Sequence, residues 1–356
     1  MRKREIKDLA ASVRARLMNV ARETKRDFDA ILLQYFQERF LYRLSISPYR
    51  SAFVLKGALL FLVYAMPVLR PTKDIDFLVR SRSRDMATIK GMVQNIAKIE
   101  VSDGVRFFPE SVRLESVMED ADYGGIRVKI QGSLDKARKT LQVDIAFGDV
   151  LVAGPVEMEF PRMLDDQPAL RLKVYPNESA IAEKFQSLVR LNILTSRMKD
   201  IYDVLFLASH QSFEMRLLRK AIMKTFNRRE TPIEDRRSIF TTEFKSSKEK
   251  QTQWAAFLKR SRLESYKTFD EAIHHLELFL EPVCSQGSLP AGQLMMSVTD
   301  KEEMMSPYSQ WYWSVAKRSS VCRLHWLHED RALAMNTDFG TVLIFFLDNR
   351  QMESNF

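Results

Sequence analysis

Cysteine is nearly absent. The 356 residues contain only Cys284 and Cys322, which rules out a disulfide framework and points to a reducing compartment. Long hydrophobic runs are missing too. The longest, FVLKGALLFLVYAM from Phe53 to Met66, is shorter than a membrane span and carries Lys56, so no transmembrane segment is expected. The N-terminal MRKREIKDLAASVRARLM is basic and lacks an apolar signal core. Its Ile6, Leu9, Val13 and Leu17 recur at the spacing of an amphipathic helix. There is no internal repeat. A zinc site is not expected either: CRLHWLH, Cys322 to His328, offers one Cys and two His with no second pair nearby, one ligand short of a structural tetrahedral set, and is read as chance spacing. These absences predict a soluble, cytoplasmic protein with no membrane association.

What is present is an ordinary globular composition with a modest basic excess, formally +9, compatible with a polyanionic partner such as RNA or a nucleotide. The length suits roughly two domains. Two helices open the chain, the second (RDFDAILLQYFQERFLYRL) with Ile31, Leu32, Tyr35, Phe36 and Phe40 on one face. FVLKGALL reads as a strand end running into a helix near Gly57, and DIDFLVR as a strand of period two. A helix (SRSRDMATIKGMVQNIAKI) and a run of strands follow, the first of which, VRFFPESVRLESV, has an irregular lead-in. This makes residues 1–176 a mixed α/β unit. Residues 177–283 are helical in pattern throughout, and His274 and His275 fall there among packing residues. Residues 284–356 form a poorly specified tail, in which TVLIFFLD is a strand without an evident partner.

The chemistry concentrates in RPTKDIDF, Arg70 to Phe77. Side chains two apart on a strand share a face, so Asp74 and Asp76 project together while Ile75 and Phe77 face the opposite layer. Carboxylates so placed mark either a solvated strand end or a cation site. A second apolar strand, LQVDIAFGD, carries Asp144 between Val143 and Ile145. Its alternatives are a salt bridge, with Arg127 as a candidate partner, or a place beside the DID pair. If the two strands are neighbours, three carboxylates converge, and a divalent cation relieves their repulsion. Oxygen-only ligands suit Mg²⁺, which one or two ions would supply for phosphate chemistry. Upstream, Lys56 and Gly57 offer a cation and open backbone N–H groups to a phosphate. In IAEKFQSLV, Lys184 lies on the stripe of Ile181 and Leu188 and needs a counter-charge, either a triphosphate or a nearby aspartate; snorkelling to water is the plain alternative. Asp200 and Asp203, one helical turn apart in RMKDIYDVLFL, form either a surface pair or part of the same site. The basic loop VRSRSRD and the basic helix MRLLRKAIMKTFNRR are solvated faces or RNA-steering surfaces.

In this order, VLKGALL, RPTKDIDF, VDIAFGD, IAEKF and RMKDIYD resemble the AbiEii-type toxins of type IV toxin–antitoxin and phage-defence systems, from about Arg26 to Val283. The resemblance implies an α+β fold with a polymerase-β-like nucleotidyltransferase core on a mixed sheet, followed by an all-helical domain. It implies transfer of nucleotides from an NTP to RNA, with tRNA ends as targets in some members, and a cognate antitoxin protein as partner. By the same resemblance Asp74 and Asp76 match the paired metal ligands, Asp144 the third carboxylate, and Lys184 the lysine holding the triphosphate. Arg70 matches the basic residue opening the motif, and Thr72 a hydroxyl that phosphorylation blocks in some relatives. Asp200 and Asp203 match the paired acids of the last motif. One departure stands out: many relatives read KGG where this chain reads Lys56-Gly57-Ala58. A kinase-like phosphotransferase, or a non-catalytic RNA- or protein-binding relative, are the competing expectations.

Overall fold

The computed structural model describes residues 8–64, 72–80, 84–120, 123–211, 213–261, 263 and 268–285, together with the backbone of four strands further on. The chain opens with α1 (Leu9–Glu23) and α2 (Phe28–Ser45), each started by an aspartate side chain, Asp8 and Asp27, that accepts a hydrogen bond from a first-turn amide. β1 (Phe53–Lys56), α3 (Leu60–Val63), β2 (Asp74–Val79) and α4 (Met86–Ala97) follow. Next come β3 (Val105–Asp120), β4 (Tyr123–Leu134), β5 (Ala137–Ala146), β6 (Val156–Phe160) and β7 (Leu170–Val174).

These strands form one mixed sheet in the order β3-β4-β5-β2-β1-β7-β6. β2 runs parallel to β5 and β1 parallel to β7, while the remaining pairs are antiparallel. The irregular lead-in of VRFFPESVRLESV is a register shift between Phe108 and Arg113, as an unpaired insertion in a strand requires. α2 packs against β5 and β7, and α4 against β3. The apolar face read for α2 is buried, with Ile31, Tyr35 and Phe36 sealed completely. Burial goes further than the periodicity indicates, because Glu38, Arg39 and Arg43 are also interior. They are tolerated there because they are paired: Arg39 with Glu38, and Arg43 with Asp103 at 2.7 Å.

The helical part consists of α5 (Asn177–Leu191), α6 (Met198–His210), α7 (Met215–Arg228), α8 (Thr242–Lys245), α9 (Lys248–Ser261) and α10 (Phe269–Cys284). α10 begins with a reciprocal Thr268–Glu271 capping box. One short strand interrupts the helices, β8 (Phe213–Glu214). It pairs with β9 (Gln293–Ser297), which pairs with β10 (Tyr312–Ala316). The expectation that TVLIFFLD lacks a partner is corrected. β12 (Gly340–Phe345) pairs antiparallel with β11 (Ala332–Thr337) immediately upstream. ALAMNT contains a single β-branched residue, so its composition does not mark it as a strand. Cys322 to His328 lie outside the described residues.

Candidate active site

β1 and β2 pair so that Lys56 lies opposite Asp76. The chain then turns at Gly57, whose φ is +72°. A Cβ at this position would come within 1.9 Å of Asp76 Oδ2. Glycine is needed here twice over, for the left-handed backbone and for the space the carboxylate occupies. On the other side, β2 and β5 pair in parallel with Asp76 opposite Asp144 and Asp74 opposite Gln142. Partners in register and residues two apart share a face, so Asp74, Asp76 and Asp144 emerge together from the middle of the sheet.

The three carboxylates differ in what surrounds them. Burial, reinforced by Asp144 and Asp74, pushes the Asp76 carboxyl up to about 6 against the opposing pull of Lys56. Asp74 is raised as well, first by burial and then by Asp144. Among the described residues neither has an ion-pair partner. Asp144 does: Arg127, directly across on β4, donates from Nε to Oδ1 at 2.9 Å and from Nη2 to Oδ2 at 2.8 Å. Gln142 adds a third hydrogen bond at 3.1 Å. The salt-bridge alternative for Asp144 is therefore realised, beside the DID pair. Among the described residues no group of three or more His, Cys, Asp or Glu side chains is arranged to hold a metal. Asp74 and Asp76 alone fit Mg²⁺ nonetheless, since that ion binds through one or two carboxylates and completes its shell with water and phosphate oxygens. The desolvated Asp76 carboxylate is the kind of group a cation stabilises.

Two lysines stand over this floor, each inside a closed charge set. Lys56 Nζ donates to Asp149 and Glu183, both at 2.8 Å. Tyr175 Oη lies within hydrogen-bond distance of the same two carboxylates, and Arg229 reaches Asp149 at 3.1 Å. Burial works against a charged Lys56, but Glu183 and Asp149 outweigh it and its pKa lies above that of an ordinary lysine. Burial likewise opposes a charged Asp149, yet Lys56 and Arg229 hold it well below the usual carboxylate range. Lys184 Nζ donates to Asp200 at 2.7 Å and to Asp203 at 2.9 Å. The counter-charge it needs thus comes from α6. The two aspartates outweigh burial to raise Lys184, and Lys184 in turn lowers Asp200 against the effect of burial. Helix α5 feeds both sets through consecutive residues, Glu183 to one and Lys184 to the other.

All of these groups except Gln142 and Asp203 line a cleft of ≈ 490 Å³, with Thr72, Arg190, Arg197 and Lys199 also in its wall. Thr72 Oγ1 is 3.3 Å from the Asp74 carbonyl oxygen. Arg70 lies outside the described residues. The structure therefore brings together Lys56, Gly57, Thr72, Asp74, Asp76, Asp144, Lys184, Asp200 and, through Lys184, Asp203. Sequence reasoning missed Asp149, Tyr175, Glu183 and Arg229. Two of these stood inside quoted blocks: Asp149 ends VDIAFGD and Glu183 precedes Lys184 in IAEKF.

The model of one protein family, the AbiEii nucleotidyl transferase toxins of type IV toxin–antitoxin systems, matches residues 39–275. The chain belongs to this family. The AbiEii match spans the central sheet and all of the cleft, making the protein a nucleotidyltransferase of a type IV system, with an antitoxin as the implied partner. JHP933 from Helicobacter pylori is a similar solved structure, at 15% identity and a TM-score of 0.41 over 72% of this chain and 92% of that one. A provisionally assigned nucleotidyltransferase from H. pylori matches at the same identity and TM-score, over 72% of this chain and 95% of its own. No curated protein matches the chain. Among the described residues, no helix is long and apolar enough to cross a membrane.

Proposed function

We propose that this AbiEii toxin transfers a nucleotidyl group from a nucleoside triphosphate to a hydroxyl of an RNA, with tRNA 3′ ends the first acceptors to test. One observation carries the reading: Asp74 and Asp76 share a face in a basic-rimmed cleft without a resident cation among the described residues, whereas the neighbouring acids all have one. Asp74 and Asp76 would hold Mg²⁺, with Asp144 the candidate third ligand. Mg²⁺, when bound, supplies charge neutralisation for the attacking and leaving oxygens. In the reaction, the RNA hydroxyl oxygen forms a bond to the α-phosphorus and gives up its proton to solvent, the bond from the α-phosphorus to the bridging oxygen breaks, and pyrophosphate leaves.

The chain's own residues position these groups. An ammonium has three N–H donors. Lys56 and Lys184 each direct two of them to carboxylates, which leaves one for a phosphate oxygen. The carboxylates keep both lysines charged and fix their direction, so little reorganisation is required when the triphosphate arrives. Arg190, Arg197 and Lys199 on the cleft wall favour the approach of a polyanion. Arg84 and Arg228, from the basic loop and the basic helix, converge near Gly148, between the cleft-lining Phe147 and Asp149. An RNA acceptor places the reaction in the cytoplasm, under the control of the antitoxin.

Incubation of purified protein with Mg²⁺, RNA and either α- or γ-labelled triphosphate tests the reading. Label from the α position entering RNA, with a mass increase of whole nucleotide units, is the expected result. Movement of γ-label alone would replace nucleotidyl transfer with phosphoryl transfer. Transfer by neither label, with growth inhibition that survives Asp74→Ala, would favour a binding protein.

A further inference from the structure

We infer that Arg127 is a built-in counter-ion that keeps Asp144 away from a divalent cation until a phosphate draws the guanidinium off. The inference rests on the reading of Asp74 and Asp76 as cation ligands. Asp144 stands in register with Asp76 on one side and Arg127 on the other. It is therefore placed where a third ligand belongs, but its carboxylate is turned to the opposite neighbour. The contact is a fork on a fork, with both carboxylate oxygens engaged at 2.9 and 2.8 Å. This geometry is the strongest that arginine and a carboxylate make. Asp74 and Asp76, on the adjacent strand, carry no such partner among the described residues. Arg127 thus separates a pair of acids ready for a cation from a third that is withheld.

The pair is not sealed. Side-chain exposure is 31% for Arg127 and 20% for Asp144, and both line the cleft. A guanidinium accepts a phosphate with the same fork it offers a carboxylate. When a triphosphate enters, Arg127 exchanges one anion for another and Asp144 becomes available to a cation, without stranding a charge on either side. Arg127 is accordingly a positioning residue. It makes the third carboxylate conditional on substrate, so that the nucleotide-free protein holds a cation through Asp74 and Asp76 only.

Manganese stands in for magnesium at carboxylate sites, and free Mn²⁺ is measurable by its paramagnetic resonance signal. Titration of the full chain without nucleotide should show Arg127→Gln binding an additional Mn²⁺, or binding Mn²⁺ at least about tenfold more tightly than wild type, the scale on which neighbours of metal ligands act. Adding Asp144→Asn to that variant should restore the wild-type isotherm. Asp144→Asn alone should leave Mn²⁺ binding as it is in the wild type. Arg127→Lys, which keeps the charge but loses the fork, should fall between, and serves if the glutamine variant does not fold. Superimposable isotherms for wild type and the Arg127 variants would overturn the inference, as would weakened binding in Asp144→Asn alone. Should Mn²⁺ binding be lost in Asp76→Asn yet indifferent to Arg127, the inference fails and the Asp74/Asp76 reading stands. Should Asp76→Asn bind as the wild type does, both fail.

Discussion

The cleft contains two pairs of aspartates in opposite electrostatic settings. Asp200 and Asp203 flank one turn of α6 and enclose Lys184, at 2.7 and 2.9 Å. Asp200 is lowered, Lys184 outweighing burial. Asp74 and Asp76 sit two apart on β2, and burial raises both, Asp76 to about 6. Residue type is the same in both pairs. What separates them is a cation supplied by the fold in one and, among the described residues, absent from the other. A pair that carries its own counter-charge is a fixed part of the architecture, while on the proposed function a pair that lacks one is held ready for a ligand. The Lys56 set, with Asp149 and Glu183, belongs to the first kind.

The sharpest break in this comparison is Asp76→Asn. Transfer activity should fall by at least about a hundredfold, the scale on which a group stabilising the transition state acts, while the folded chain survives. The equivalent blow to the other pair strikes stability. Lys184→Met removes the cation that bridges the buried Asp200 and Asp203, leaving Arg197 at 3.7 Å from Asp200, and should cost about 3 kcal/mol in denaturant unfolding. Adding Asp200→Asn should recover part of that loss. Gly57→Ala forces a left-handed alanine against Asp76 and should destabilise the chain by roughly 1 kcal/mol or more, with loss of divalent-cation binding alongside.

The pH dependence of stability separates the pairs by sign. The folded carboxyl of Asp76 at about 6 lies above its unfolded value, so folding binds a proton in that window and the contribution of Asp76 weakens as pH rises through it. Asp76→Asn should therefore be more stable than wild type above the window, on the order of 2 kcal/mol, with the gap closing as pH falls through 6 towards 4. Asp200 is depressed, so its contribution is present above the unfolded value and is lost as pH falls through the lowered one. Thermal melts of wild type and Asp76→Asn across this range, and of wild type and Asp200→Asn at pH below the ordinary aspartate value of 3.8, test both signs. The smallest effect serves as a reference. Glu115 and Lys129, an exposed pair on β3 and β4, should contribute less than about 1 kcal/mol when Glu115→Ala is measured in salt.

Periodicity was informative about faces and silent about partners. The alternation of DIDF put Asp74 and Asp76 on one side, and the strand character of LQVDIAFGD offered Asp144 for the same patch. Both follow from a two-residue repeat. The helical stripe of IAEKFQSLV showed that Lys184 needed a counter-charge, and a nearby aspartate was one of the two sources considered. Which lysine meets which acid was not legible. Lys56 reaches Glu183 across 127 positions and Asp149 across 93, and no local pattern encodes such a closure. Gly57 was read as open backbone for a phosphate; its φ and its nearness to Asp76 add a second role, making room for a carboxylate. The buried charges of α2 escaped for a similar reason, because Arg43 is admitted to the interior by Asp103, 60 positions away.

The central claim is that the Asp74/Asp76 pair is the place left for a divalent cation. Thermal melts with and without excess Mg²⁺, on wild type and on the Asp74→Asn/Asp76→Asn double variant, test it most directly. A ligand that binds only the folded state raises the melting temperature. Wild type is predicted to melt higher with Mg²⁺ and the double variant to be unmoved. An equal rise in both proteins would contradict the account.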